Sequence, residues 1–120
     1  MRNDERRRAP RVRVAAIATL ETRGSLDANN QAVGSVRDLS RLGIGVETGQ
    51  PPRPGQTVIL RLALDETIRE LRTHVTRVQQ RRSHFFDVGL DFSACGGDDL
   101  LFLDEVLAAV ERLSLIHISE

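Results

Sequence analysis

The sequence predicts a mainly β domain in which about six short antiparallel strands close into a small barrel followed by one C-terminal α-helix. Three observations predict it. Apolar side chains recur at every second position in several short stretches, and glycine, proline, asparagine and aspartate separate those stretches. Only the tail changes to spacings of three and four. A chain of 120 residues also suits one hydrophobic core and leaves no room for a second full domain.

The first strand is read over Arg11 to Leu20, where Val12 and Val14 alternate with Arg11 and Arg13. Glu21 to Gln31 breaks every periodicity and reads as a hairpin loop. A short second strand follows over Ala32 to Val36, and the turn-prone stretch Arg37 to Gly43 leads into a third, GIGVET, ending before Gly49. Three of the four prolines lie in Gln50 to Gly55, which favours a turn or an edge. Thr57 to Leu64 then places Val58, Leu60, Leu62 and Leu64 on one face. Glu70 to Arg77 alternates Leu71, Thr73 and Val75 against Arg72, His74 and Thr76, joined to the preceding strand by a short hairpin connection. The sixth strand carries Phe86, Val88, Leu90 and Phe92. Asp98 or Asp99 caps a helix whose apolar positions run from Leu100 to Leu113, with acids near its start matching the helix dipole. Ser114 to Glu120 does not continue that pattern and reads as an artefactual tail.

Composition narrows the function classes. All seventeen basic residues are arginine and balance seventeen acids, so the chain lacks the overall positive field of most nucleic-acid binders. The charges are nevertheless segregated. Residues 1–13 hold six arginines against Asp4 and Glu5, whereas residues 95–120 hold six acids against Arg112. Each arginine offers a planar fork suited to phosphate oxygens and purine edges. One cysteine, Cys95, excludes an internal disulfide and fits a reducing compartment. No stretch reads as a membrane span or a signal peptide, so a cytoplasmic location is expected.

Two short motifs carry the remaining chemistry. ERRRAPR, Glu5 to Arg11, puts four guanidinium groups ahead of the first strand on a backbone that Pro10 stiffens; it reads either as a solvated basic tail or as an arm able to wrap an anion. DLSRLG, Asp38 to Gly43, reads either as an ordinary turn held by aspartate and serine or as a ligand corner. In the second case Asp38 accepts two parallel N–H donors such as the N1 and N2 edge of guanine, Ser40 and nearby amides meet phosphate oxygen, and Gly43 permits close approach.

Together these motifs resemble the PilZ domain family, whose signature is RxxxR ahead of the first barrel strand and [D/N]xSxxG at a later bend. Arg7-Arg8-Ala9-Pro10-Arg11 and Asp38-Leu39-Ser40-Arg41-Leu42-Gly43 match both, and GIGV, the leucine-rich hairpin and VGLDF before a helix extend the likeness over about residues 5–113. The resemblance implies a six-stranded PilZ-like split barrel that binds the bacterial second messenger cyclic di-GMP. It implies a flexible arm over residues 1–10, a barrel and helix over 11–113, and ligand contacts from Arg7, Arg8, Arg11, Asp38, Ser40 and Gly43. It further implies that the arm orders on the nucleotide and presents a surface to an unidentified effector protein. The alternative is a PilZ-like barrel that binds no nucleotide and acts as an adaptor.

Other constellations are set aside. His74, His84 and His117 have no second ligand at metal-binding spacing, so no metal and no cofactor is expected. No GxGxxG, GxSxG or phosphate-loop motif exists, and no nucleophile with its base can be named, so no enzyme is expected. Asp87 and Asp91 are expected to answer Arg61, Arg72 or Arg77. A nucleic-acid partner is disfavoured because only Phe85 remains for base stacking. Leu101 and Leu103 lie beyond the expected core stripe of the helix and leave a homodimer possible.

Overall fold

The computed structural model describes residues 12–22, 31–64 and 67–118, and the arm of residues 1–10, Arg11 and the 23–30 loop lie outside the described residues. The strands are β1 (Val12–Thr22), β2 (Gln31–Leu39), β3 (Gly43–Thr48), β4 (Thr57–Leu64), β5 (Thr67–Arg82) and β6 (Phe85–Asp91), followed by the helix α1 (Gly97–Ile118). All neighbouring strands are antiparallel, and they close in the order β1-β2-β3-β6-β5-β4. Closure removes every open sheet edge.

Alternation builds the interior as the sequence leads one to expect. Val58, Leu60 and Leu62 of β4 and Leu71 and Val75 of β5 point inward with Val36, Leu39, Ile44, Val46, Val88 and Leu90. The one buried hydroxyl of β5, Thr73, donates to the Val58 carbonyl at 2.8 Å, so its burial leaves no unpaired polar atom. Leu103 of α1 is fully buried and joins the same cluster, with Leu100, Phe102, Val106 and Leu107 packed beside it. The helix therefore shares the barrel's core instead of lying on its surface. Arg69 reinforces the seam by reaching Asp99 at 3.1 Å and lying 5.3 Å from the Phe102 ring centre.

Several expectations are corrected. β2 does not stop at Val36 but runs through Arg37 and Asp38 to Leu39. β5 begins at Thr67 and continues through the polar QQRR to Arg82. The helix extends past Leu113 to Ile118, so the ending through Ile118 is helical in backbone. Leu103 is not surplus apolar surface, since it is wholly enclosed, whereas Leu101 is 64% exposed.

Three strands slip near the level of Asp38, and β5 slips again between Gln80 and Arg82. Register shifts fall between Arg13 and Ala16 on β1, between Val36 and Asp38 on β2, and between Val75 and Arg77 on β5. Such bulges bend a strand and re-aim the side chains beside them.

Candidate functional site

Asp38 sits in the β2 bulge, where the register sets it opposite Arg13 of β1 and Gly45 of β3. Inward positions on β2 pass from Gly34 and Val36 to Leu39, so the extra residue leaves Asp38 half-buried on the barrel wall instead of inside it. Gly45 makes space for its carboxylate: a β-carbon there would stand 2.8 Å from Asp38 Oδ1. Val12 pairs with Leu39, so β1 starts beside the Ser40–Gly43 turn. That strand is the one to which the RxxxR segment is joined.

Ser40 is engaged within its own turn. Its side chain is buried, and its Oγ accepts from the Leu42 amide at 3.1 Å and the Gly43 amide at 3.2 Å. The Ser40 amide donates to the Gly43 carbonyl at 2.9 Å, which closes the turn. With its lone pairs engaged, Ser40 shapes the corner that follows Asp38. Gly43 serves packing, because a β-carbon there would collide with the Leu90 carbonyl oxygen of β6. Arg41, exposed on the same turn, reaches Asp104 of α1 at 2.8 Å, which ties the corner to the helix.

Three strands supply polar neighbours that no linear motif announces. Arg37, Asp38, Gly45, Val46, Arg77, Asp87 and Val88 line a pocket of about 100 Å³ on the outer wall. Asp87 receives Arg37 at 3.1 Å and Arg81 at 3.2 Å, and Glu47 lies 3.9 Å from Arg37. The expected partners of Asp87, namely Arg61, Arg72 and Arg77, are thus corrected. Arg61 instead bridges Glu21 and Glu70 at 2.9 and 2.8 Å, and the hydrogen bonds it donates to both carboxylates push its pKa up. Asp91 accepts from Ser93 at 2.7 Å and lies 3.9 Å from His74.

Of the expected ligand residues, Asp38, Ser40 and Gly43 are brought to one corner. Arg7, Arg8 and Arg11 lie outside the described residues. Among the described residues, no group of three or more His, Cys, Asp or Glu side chains is placed to hold a metal ion. None of the helices among them is long and apolar enough to cross a membrane.

The PilZ domain family model matches residues 5–103 of the chain. Among solved structures, the PilZ domain of Escherichia coli YcgR with c-di-GMP superposes with a TM-score of 0.77 at 13% identity, covering 96% of this chain and 98% of that one. The K. pneumonia MrkH complex with c-di-GMP gives 0.74 at 17% identity, over 93% of this chain and 55% of that one. The Bacillus subtilis inhibitor of motility MotI gives 0.67 at 20% identity, over 92% and 52%. No curated protein matches the sequence. At these identities the structural likeness establishes the six-stranded barrel with its terminal helix.

Proposed function

This chain belongs to the PilZ domain family, and from that premise we propose that it is a cytoplasmic receptor for cyclic di-GMP. One observation carries the reading: an outward carboxylate, Asp38, stands over a glycine at the corner where the strand joined to the RxxxR segment begins. A carboxylate there can accept both N1–H and N2–H of a guanine, a paired geometry that a hydroxyl or a single amide cannot supply. Each phosphate of the ligand is an anion, and Arg7, Arg8 and Arg11 offer forked, permanently charged donors for it. Ser40 and Gly43 hold the corner in shape for both.

The signalling step in this reading is an ordering of the arm over residues 1–10. The nucleotide binds the closed arrangement better than the open one, so ligand concentration sets the population of a new surface that an effector protein reads. The solved complexes with c-di-GMP on the same fold support the ligand class.

Calorimetric titration of the full chain with cyclic di-GMP, GMP and a short oligonucleotide tests the receptor. Saturation by cyclic di-GMP alone is expected, with the Arg11→Ala and Asp38→Ala variants losing it. Limited proteolysis with trypsin then tests the arm, whose cleavage should slow when the nucleotide is present. No binding of cyclic di-GMP refutes the receptor and leaves the adaptor reading; stronger binding of the oligonucleotide refutes both.

A further inference from the structure

Ile17 of β1, Ala63 of β4 and Ile68 of β5 are direct cross-strand partners, and Ser35 of β2 continues their line on the other side of Ile17. Ala18 and Leu62, the chain neighbours of two of them, face the core, so alternation turns this row of four onto the outer wall. Ile17 is 62% exposed and Ile68 70%, and Val33, two residues before Ser35 on the same face, is 67% exposed. Three of the six large apolar side chains exposed among the described residues thus share one wall of four adjacent strands. Such residues are ordinary when scattered; gathered on one face they mark a contact surface.

Charge and shape decide what covers the wall. In the rows beside it Arg61 and Arg72 balance Glu21 and Glu70, with Arg61 held by both acids at 2.9 and 2.8 Å, so a strongly charged partner finds no opposite field. Residues 1–11, 23–30, 65–66 and 119–120 carry only Met1 and Leu26 as large apolar side chains, too little to bury the wall from within the chain. The row itself reads small, large, small, large: Ser35, Ile17, Ala63, Ile68. Adjacent strands lie about 4.8 Å apart, so the Ala63 methyl is the floor of a notch between two isoleucines about 10 Å apart. Laid against its own reverse, the row sets a large side chain opposite a small one at every position.

We propose that this wall joins two copies of the chain about a two-fold axis that runs parallel to the strands between β1 and β4. Ile17 of each copy then fills the Ala63 notch of the other, and Ile68 of each lies over Ser35 of the other. In the next row Arg61 meets Thr19, so like charges stay apart. A contact of this kind uses the same patch on both copies and closes at two. Leu101, the exposed leucine of α1, stays outside it, so the dimer contact expected on the helix moves to the barrel wall.

Sedimentation equilibrium of the full chain tests the dimer. A four-strand face is at the small end of stable interfaces, so dissociation is expected in the micromolar range and loading should run from there to about 0.5 mM. Added salt should weaken the dimer little, because the contact is apolar. Ile17→Lys and Ala63→Glu each place a charge in the contact and should weaken association more than about tenfold. Their circular dichroism should stay native, since both sites are exposed. An equimolar mixture of these two variants sets the opposite charges against each other across the axis and should restore a dimer. Leu101→Lys should leave association native. A chain that stays monomeric throughout, native association in Ile17→Lys, loss of association in Leu101→Lys, or a mixture no tighter than its components overturns the proposal.

Discussion

A β-carbon on Gly43 would collide with the carbonyl oxygen of Leu90 on the facing strand. The obstacle is backbone held in the β3–β6 ladder, so no side-chain rotation can relieve it. Gly43→Ala must therefore push β3 away from β6, and overpacking of this kind costs about 1–3 kcal/mol. Thermal unfolding should show a lower melting temperature for Gly43→Ala and an unchanged one for Arg11→Ala, while both weaken cyclic di-GMP binding. An undisturbed melting temperature for Gly43→Ala would show that the strands part at little cost.

The same corner shows what a linear reading can and cannot recover. Strand β4 was legible because Val58, Leu60 and Leu62 alternate without interruption and all three are buried. Strand β2 was cut short because Arg37 and Asp38, both beyond the last regular inward position at Val36, interrupt the period and mimic a turn. A bulge has no residue signature of its own, since it arises where two strands of unequal count must pair. The polar end of β5 was missed for a related reason. Arg81 and Arg82 are exposed, so only pairing with β6 defines that stretch as strand. At the site, Asp38, Ser40 and Gly43 could be found because six consecutive residues carry them, whereas Arg37, Arg77 and Asp87 converge from three strands. The turn hydrogen bonds of Ser40 are not legible in the sequence either, because a serine between an acid and a glycine looks the same whether or not neighbouring amides engage its hydroxyl.

Ser40 accepts two amide protons inside the turn, so removing its hydroxyl leaves the Leu42 and Gly43 amides without that partner. A buried donor stripped of its acceptor costs about 1–3 kcal/mol. Ser40→Ala should lower the melting temperature and weaken cyclic di-GMP binding together, and a stabilising osmolyte should recover part of both. Weakened binding at native stability would instead show that Ser40 touches the ligand directly.

Leu103 and Leu101 are two positions apart on α1 yet lie at opposite extremes, one fully buried and the other 64% exposed. Leu103→Ala should destabilise the protein by about 2–5 kcal/mol, because a cavity opens where helix and barrel share one core. Leu101→Ala should change stability by under about 0.5 kcal/mol. Denaturant titration separates the two cases. A mild effect of Leu103→Ala would mean that the helix can leave the barrel without disturbing it.

The Cys95 thiol is held above its ordinary pKa, chiefly by burial and next by the negative charge of Asp99. The thiolate is the nucleophile, so alkylation by iodoacetamide at pH 8 should be slower than for a free cysteine and should accelerate as pH rises. Asp99→Asn removes the second cause and should speed the reaction at fixed pH, although it also frees Arg69 from its 3.1 Å pairing with Asp99. Because the folded thiol keeps its proton to higher pH than the unfolded one, its contribution to stability is full below the unfolded value of about 8.5. That contribution declines as pH climbs from there through the folded pKa. Denaturant titrations at pH 7 and pH 10 should show a smaller drop in stability for Cys95→Ser than for the native chain. An equal drop in both would assign the alkaline loss to other groups.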